Sequence, residues 1–350
     1  MSLKWGVTVK HIGGNAMVIK EVNTNLVRTA LKGAGEATKQ QIATITGLSA
    51  MTVGTILQQL LQTAEVLETE LSASGGGRPA QRYQYNGDYA YVLTLFPYET
   101  GGRIQIRSTV VNLLGSFVHE GVEDVAQVDI ACFERIMDAL IAEHPAIRAI
   151  GIGLPGAEWQ GKIVISDYKA LLGISLVDYF KQRYDMPVIM ENDVNAAVVG
   201  YCEQNHIRSD EAVAYIYFPD RFPPGAGIFI NGHLFKGRRN YAGEIGHIPA
   251  GTPWGDAAFI ATAERVDQAI VQLISTICAV INPDRVVLHA SFLHQADRNR
   301  IAEVCRAELP VSAVPEVIVS EDFTADYLAG MVARTLSTLE PNIMLSRHES

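Results

Sequence analysis

Two short segments bring together side chains suited to gripping several hydroxyl groups at once. Glu191-Asn192-Asp193-Val194-Asn195-Ala196 supplies a carboxylate beside an amide, and Gly243-Glu244-Ile245-Gly246-His247 adds a second carboxylate and an imidazole. Carboxylates only accept hydrogen bonds, whereas asparagine and histidine also donate, so Asn192, Asp193, Glu244 and His247 can together satisfy a ring of hydroxyls. Each residue alone has a plainer use. Asparagine and aspartate are strong helix N-caps, and a single histidine is commonly a core residue bonded to backbone.

A second set of chemistry-bearing residues lies near the N-terminus. Thr38-Lys39-Gln40-Gln41 fits a capping box that starts a short helix with Ile42, Ala43 and Ile45 on its apolar face, and Gly47 supplies the turn after it. Ser49 caps the next helix, in which Val53, Ile56, Leu57, Leu60 and Leu61 recur at helical spacing. The opposite face, Ala50, Met51, Thr52, Thr55 and Gln58, is small and polar, as a helix entering a DNA major groove must be. Val66-Leu67-Glu68 and Gln81-Arg82-Tyr83-Gln84-Tyr85 read as two strands of a wing joined by Ser74-Gly75-Gly76-Gly77-Arg78-Pro79-Ala80. The glycines permit close approach and Pro79 fixes the exit, which presents Arg78 to a minor groove. Thr38 and Ser49, at the two helix starts, complete the DNA-facing set. With no lysine and arginine cluster on that face, affinity leans on the wing, helix-start amides and dimerisation. A flexible linker and a protein-interaction module are the competing readings of these features.

The elements that position the first set read as α/β. Tyr91 to Leu95 and Ile104 to Val111 are expected strands about a Gly101-Gly102 turn, followed by a helix near Ile130 to Glu143 and a strand from Ala149 to Gly153. Val188 to Met190 runs straight into Glu191-Asn192-Asp193, so those side chains stand at the carboxyl end of a strand, where open α/β sheets bind ligands. A strand pair follows at 213–218 and 226–230. One long helix is expected from Ala257 to Ile281, then a strand from Arg285 to Leu288 and a closing helix near Asp326 to Leu339.

Taken in order, the helix pair, Gly151-Ile152-Gly153-Leu154-Pro155-Gly156, the segment from Glu191 to Ala196, Gly225-Ala226-Gly227 and the segment from Gly243 to His247 resemble the ROK family of repressors, open reading frames and kinases. The resemblance implies a winged helix-turn-helix followed by a two-lobed actin-like, ribonuclease-H-like sugar kinase fold. The expected divisions are a DNA-binding domain at 1–88, a first lobe at 89–195 completed by a C-terminal helix at 335–350, and a second lobe at 196–334. In the family's kinases the aspartate matching Asp193 takes a proton from the attacking sugar hydroxyl, and Glu244 and His247 match the pair on the opposite edge. The family's asparagine near Asp167-Tyr168-Lys169 is absent here.

The same comparison of motifs predicts loss of the phosphate half. Family kinases hold ATP with three glycine-containing loops. Here they read Leu95-Phe96-Pro97-Tyr98-Glu99, Asp220-Arg221-Phe222-Pro223-Pro224-Gly225-Ala226-Gly227 and His289-Ala290-Ser291, with rings, prolines and an acid where bare amides should be. Phosphoryl transfer depends on such clamps, so Asp193 is expected to be a vestigial base and kinase activity to be lost. The family's cysteine cluster after the Gly-His pair is replaced by Ile248-Pro249-Ala250-Gly251-Thr252-Pro253-Trp254-Gly255-Asp256, so no metal and no cofactor is expected. The shorter segment leaves open whether Glu264 reaches the ligand.

Composition sets the outer bounds. The chain has 350 residues, 48% hydrophobic and 19% charged, enough for two or three packed domains. The net charge of -10 is uneven: residues 1–90 hold eight basic against six acidic residues, and the remainder 20 against 32. The head can therefore approach DNA while the body repels it. Cys132, Cys202, Cys278 and Cys305 form no C-x-x-C and read as buried thiols. No secretory or membrane-spanning segment is apparent, which predicts a cytoplasmic location and no membrane partner. The expected protein is a transcription regulator, a repressor before an activator, with operator DNA and a sugar or sugar-phosphate effector as partners. A homodimer or homotetramer is the expected assembly, and an ATP-dependent sugar kinase is the alternative.

Overall fold

The computed structural model describes residues 15–72, 80–100, 102–219, 223–248, 251–254 and 256–340. They fall into two compact units: residues up to 91 with 111–118 and the stretch from 338, and residues 92–110 with 119–337.

The first unit is a winged helix-turn-helix. Helix α1 (Asn15–Ala34) is followed by strand β1 (Glu36–Thr38), helices α2 (Lys39–Thr46) and α3 (Ala50–Gln62), and strands β2 (Val66–Ser72) and β3 (Ala80–Tyr85) in a sheet of order β1-β3-β2. The capping box is present, with Thr38 Oγ1 accepting from the Gln41 amide and Gln41 Oε1 accepting from the Thr38 amide. Gly47 ends α2 in the left-handed region at φ 71°, and the Ser49 hydroxyl caps α3 by accepting from the Thr52 amide. Val53, Ile56, Leu57 and Leu60 form the core stripe. Ile45, expected on the buried face of α2, is 59% exposed. The helix has only two turns, and Ile42 with Ala43 already fills the space under it. Arg78 and its neighbours from 73 to 79 lie outside the described residues.

Helix α1, which the sequence analysis does not anticipate, completes this core. Thr24, Val27 and Leu31 are buried at one helical face. Arg28 on the same face donates to both oxygens of the buried Glu65, at 2.6 and 2.9 Å, and the Tyr85 hydroxyl donates to the same carboxylate at 3.3 Å. The helix is thus tied to the entrance of the wing. Removing one member of a desolvated pair strands the other charge. Arg28→Ala is therefore expected to destabilise the head by about 3 kcal/mol, read as a fall in its urea midpoint, whereas Lys20→Ala leaves it unchanged.

The second unit opens with strands β4 (Tyr91–Thr100), β5 (Arg103–Asn112) and β6 (Phe117–Val125), helix α4 (Ile130–Glu143) and strand β7 (Ile147–Gly153). The hairpin β8 (Gly156–Trp159) and β9 (Lys162–Ser166), helix α5 (Leu176–Tyr184), strand β10 (Val188–Glu191) and helix α6 (Asp193–Gln204) follow. Its second half contains β11 (Val213–Phe218), β12 (Gly225–Ile230), β13 (His233–Leu234), α7 (Ala257–Ile260), α8 (Ala263–Val280), β14 (Arg285–Ala290), α9 (Asp297–Glu308), β15 (Glu316–Val319) and α10 (Phe323–Leu336). The two five-stranded sheets have the orders β10-β7-β4-β5-β6 and β13-β12-β11-β14-β15. In the first, β10 runs parallel to β7; in the second, β14 runs parallel to both β11 and β15, with β12 antiparallel at the other side of β11.

The second sheet is buried on both faces, which its strands show as alternation within a continuous apolar run. Ala214, Ile216 and Phe218 face Ile270, Ile274 and Ile277 of α8, while Val213 and Tyr215 face Val194, Val198 and Tyr201 of α6. Helices α6 and α10 cross at two glycines. A β-carbon on Gly200 would lie 1.9 Å from the Asp326 carbonyl oxygen, and one on Gly330 1.8 Å from that of Ala196. No other residue permits that approach.

The single helix expected from Ala257 to Ile281 is two, because Ala261 and Thr262 break the run between α7 and α8. The closing helix also starts and stops three residues earlier than expected, and residues 341–350 lie outside the described ones. Of the four thiols, Cys202, Cys278 and Cys305 are buried, but Cys132 is only half-buried at the start of α4, where it donates to the Asp129 carbonyl oxygen. No described helix is long and apolar enough to cross a membrane.

Candidate functional site

Strand β10 ends at Glu191, and the chain turns directly into α6, which puts Asn192 and Asp193 at the helix start. Asn192 is the N-cap: its Oδ1 accepts from the amides of Val194 and Asn195 at 3.0 and 3.1 Å, and its Nδ2 donates to the Gly156 carbonyl at 3.2 Å. The capping use of Asn192 is therefore realised. One amide hydrogen remains to it as a further donor.

Gly243 holds the opposite wall. Its φ is 92°, and a β-carbon there would stand 1.8 Å from the Ala226 carbonyl oxygen of β12, so the loop after β13 passes β12 and turns into Glu244 at an angle open only to glycine. A single 3₁₀ turn over Ile245–His247 then brings Glu244 and His247 to the same cavity as Asn192 and Asp193. The cavity has a volume of about 630 Å³, within the range of small-ligand sites. The four sequence-predicted hydroxyl-binding residues are thus brought together. Glu264 starts α8 and does not line the cavity.

Glu191 has another role. It is 2% exposed, and its carboxylate meets Lys236 at 2.7 Å and Arg334 at 3.4 Å. This triad joins β10 to the loop after β13 and to α10. Further along that loop, Asn240 donates to the Glu158 carbonyl and Arg239 lies over the Trp159 ring, 4.7 Å from its centroid, so the hairpin β8-β9 is held to the same wall. Lys236 was missed in the sequence because Lys236-Gly237-Arg238-Arg239 reads as a solvated basic run; the missing clue is that Glu191 is buried and must have a counter-charge.

The acids of the cavity act on one another. Burial raises the Asp193 pKa to about 6, with Asp167 and Glu244 adding to it against the helix-start amide of Val194. Burial also raises Glu244, a shift that His247 opposes, and it raises Asp167 with help from Glu99. Tyr168 is pushed up by burial and by Glu99, Asp167 and Asp193. A carboxyl poised near neutrality at a cavity wall can accept a proton from, or a hydrogen bond from, a hydroxyl.

Rings and imino acids fill the segments that the family resemblance assigns to phosphate binding. Strand β4 continues without a break through Leu95-Phe96-Pro97-Tyr98-Glu99, and Phe96 is 0% exposed against Tyr327, ring centroids 4.3 Å apart. No amide-lined turn forms there. Pro223 and Pro224 line the cavity, and Pro223 lies beneath Gly246; residues 220–222 lie outside the described ones. His289 bonds through Nδ1 to the Ser320 carbonyl at 2.8 Å and packs with Tyr217 and Phe323, themselves stacked at 4.0 Å.

On the side of α3 expected from the sequence to face DNA, Met51 is 83% exposed and Thr55 and Gln58 are exposed, while Ala50 and Thr52 are half-buried. Thr38 and Ser49 are committed as cap acceptors; the Thr38 hydroxyl keeps its proton to donate, while the Ser49 hydroxyl is also paired with the Thr52 hydroxyl at 2.9 Å.

Residues 122–259, the stretch that contains β7, β10 and most of the cavity wall, match the model described as the ROK family. Over 246 residues the chain is 25% identical to the xylose repressor of Caldicellulosiruptor bescii, a match covering 67% of this chain and 60% of that one. The chain thus spans about 60% of the length of the curated relatives it matches. A solved ROK family transcriptional regulator, a homologue of the E. coli MLC protein, aligns with a TM-score of 0.66 at 19% identity, covering 91% of this chain and 97% of that chain. The ROK hexokinase of Thermus thermophilus aligns with a TM-score of 0.55 at 17% identity over 71% and 99%. These two likenesses establish the actin-like ROK fold, which regulators and kinases share.

Proposed function

We propose that this chain is a DNA-binding transcription regulator, a repressor of carbohydrate-metabolism genes, whose kinase-like body binds a sugar effector and does not phosphorylate it. The observation that carries the reading is the unbroken course of β4 through residues 95–99, with Phe96 buried where phosphate-binding amides are needed. The cavity opposite keeps its hydroxyl-binding residues. A protein that grips sugar but cannot clamp phosphate is a sensor rather than a catalyst. The repressor relative supports the same direction, although the shared fold alone fits a kinase equally.

On this reading Met51, Thr52, Thr55 and Gln58 meet base edges, the free ends of Thr38, Ser49 and Ala50 approach the backbone, and Arg78 enters the minor groove. Two heads in a homodimer or homotetramer read a two-fold operator in the cytoplasm. Sugar shifts operator affinity only by binding the two states of the protein differently.

The test has two arms. Coupled measurement of ADP release with hexoses and N-acetylhexosamines is expected to show no sugar-dependent turnover; turnover would establish the kinase alternative. In a mobility shift at fixed salt, Arg78→Ala is expected to weaken operator binding by about tenfold. Unchanged affinity would remove the wing from the interface.

A further inference from the structure

Away from the cavity, three side chains able to ligate a metal converge where strand β6 meets the end of helix α4. They are His119, Glu143 and His144, whose ligand atoms all lie within 4.8 Å of one another. Adjacent residues on a helix do not face each other. His144 escapes that rule because it is the C-cap of α4, at φ -121° and ψ 77°, outside helical backbone. Its ring turns back toward the helix, with Nε2 3.9 Å from Glu143 Oε1. The backbone that sets this direction is tied on both sides, the His144 amide donating to the Leu140 carbonyl at 2.8 Å and its carbonyl accepting from Ile147 at 3.1 Å. The His119 ring stands opposite, centroids 5.8 Å apart and planes at 58°.

Gly121 supplies a second, independent observation. It shares a strand face with His119, and a β-carbon there would lie 2.9 Å from His119 Nε2 and 3.0 Å from Ser108 Oγ of β5. A glycine inside a strand weakens it and marks a close approach. Here it leaves the imidazole the room it occupies over the sheet.

We propose that His119, Glu143 and His144 form a binding site for a divalent transition metal of the zinc class, with water completing a tetrahedral shell. Two imidazoles and one carboxylate favour such an ion over magnesium or calcium, which take oxygen ligands. Tetrahedral bonds of about 2.0–2.1 Å set ligand atoms roughly 3.4 Å apart, so closing the site asks for shifts of about 1 Å. Glu143, whose side chain is 64% exposed, is free to make them. The ion would fasten β6, the outer strand of its sheet, to α4. None of the three ligands lines the sugar cavity, and all lie outside the cysteine-free segment 248–256, so this site stands or falls apart from the sensor reading.

The deciding experiment is calorimetric titration of the full chain with zinc chloride, after stripping with EDTA and dialysis into chelator-free buffer. Excess magnesium chloride is present throughout to occupy oxygen-only sites. One saturable zinc site is expected, and His119→Ala and Glu143→Gln should each weaken it at least about tenfold. Glu143→Gln changes an exposed side chain and keeps the fold, which guards against a folding artefact. Cobalt(II) in place of zinc should give the visible d–d bands of a four-coordinate ion in the parent and lose them in His119→Ala. Absence of saturable zinc binding, or binding that either variant leaves unchanged, overturns the site.

Discussion

Gly330→Val is expected to lower the unfolding midpoint of the second unit by roughly 10 °C or more, or to abolish its folding. The new side chain would begin 1.8 Å from the Ala196 carbonyl oxygen, in a backbone-to-backbone contact with no flexible atom that can yield. Ordinary overpacking costs about 1–3 kcal/mol. Here whole helices must separate, and α6 carries Val194 and Val198 into the core on one side and starts at Asp193 on the other. A loss of about 4 kcal/mol corresponds to roughly 8–16 °C in a unit of this size. Gly54→Ala in α3 is the control of opposite sign: its β-carbon meets only the flexible Lys39 side chain, nearest at Cδ 3.4 Å away, so helix propensity should raise stability by about 0.5–1 kcal/mol. Melting followed by calorimetry distinguishes the two. A Gly330→Val protein as stable as the parent would show that the α6–α10 crossing is not close.

Asp193→Asn is expected to weaken effector binding about 30-fold or more by titration calorimetry, because a charged acceptor is replaced by a group that can accept only weakly and presents a donor instead. The same change should hold or raise the melting point at pH 7.5. The sign follows from the raised pKa. With a folded value of about 6 against 3.8, the folded state binds more protons, so the stability Asp193 contributes is present at low pH and lost as pH rises through 6. At pH 7.5 the buried carboxylate is a cost, and a neutral amide removes it. A joint loss of affinity and stability would mean that Asp193 supports the fold rather than the ligand.

The head and the site were legible in the sequence for different reasons. Capping residues act on amides three positions away, so Thr38, Gln41, Gly47 and Ser49 could be placed without tertiary information. Asn192, Asp193, Glu244 and His247 could be grouped because their two segments stand in the order of the family's motifs; a strand end and a glycine-forced turn fix each segment's direction but not their meeting. Helix α1 was not legible, since its buried stripe of Thr24, Val27 and Leu31 includes a polar residue and its anchor, Arg28 to Glu65, spans 37 positions. The hairpin β8-β9 lacked clean alternation, with Val164 and Ile165 both about half exposed, and so Asp167 and Tyr168 were not placed at the cavity. The closeness of Asp167 to Asp193 is a product of topology alone.

The most direct test of the account is a pair of titrations on the same preparation, one with the sugar panel and one with a non-hydrolysable ATP analogue and magnesium. Saturable heat with a sugar and none with the nucleotide is the predicted result. Saturable nucleotide binding would contradict it, since the space between β4, Tyr327 and the Tyr217–His289–Phe323 stack would then have to admit an adenosine phosphate.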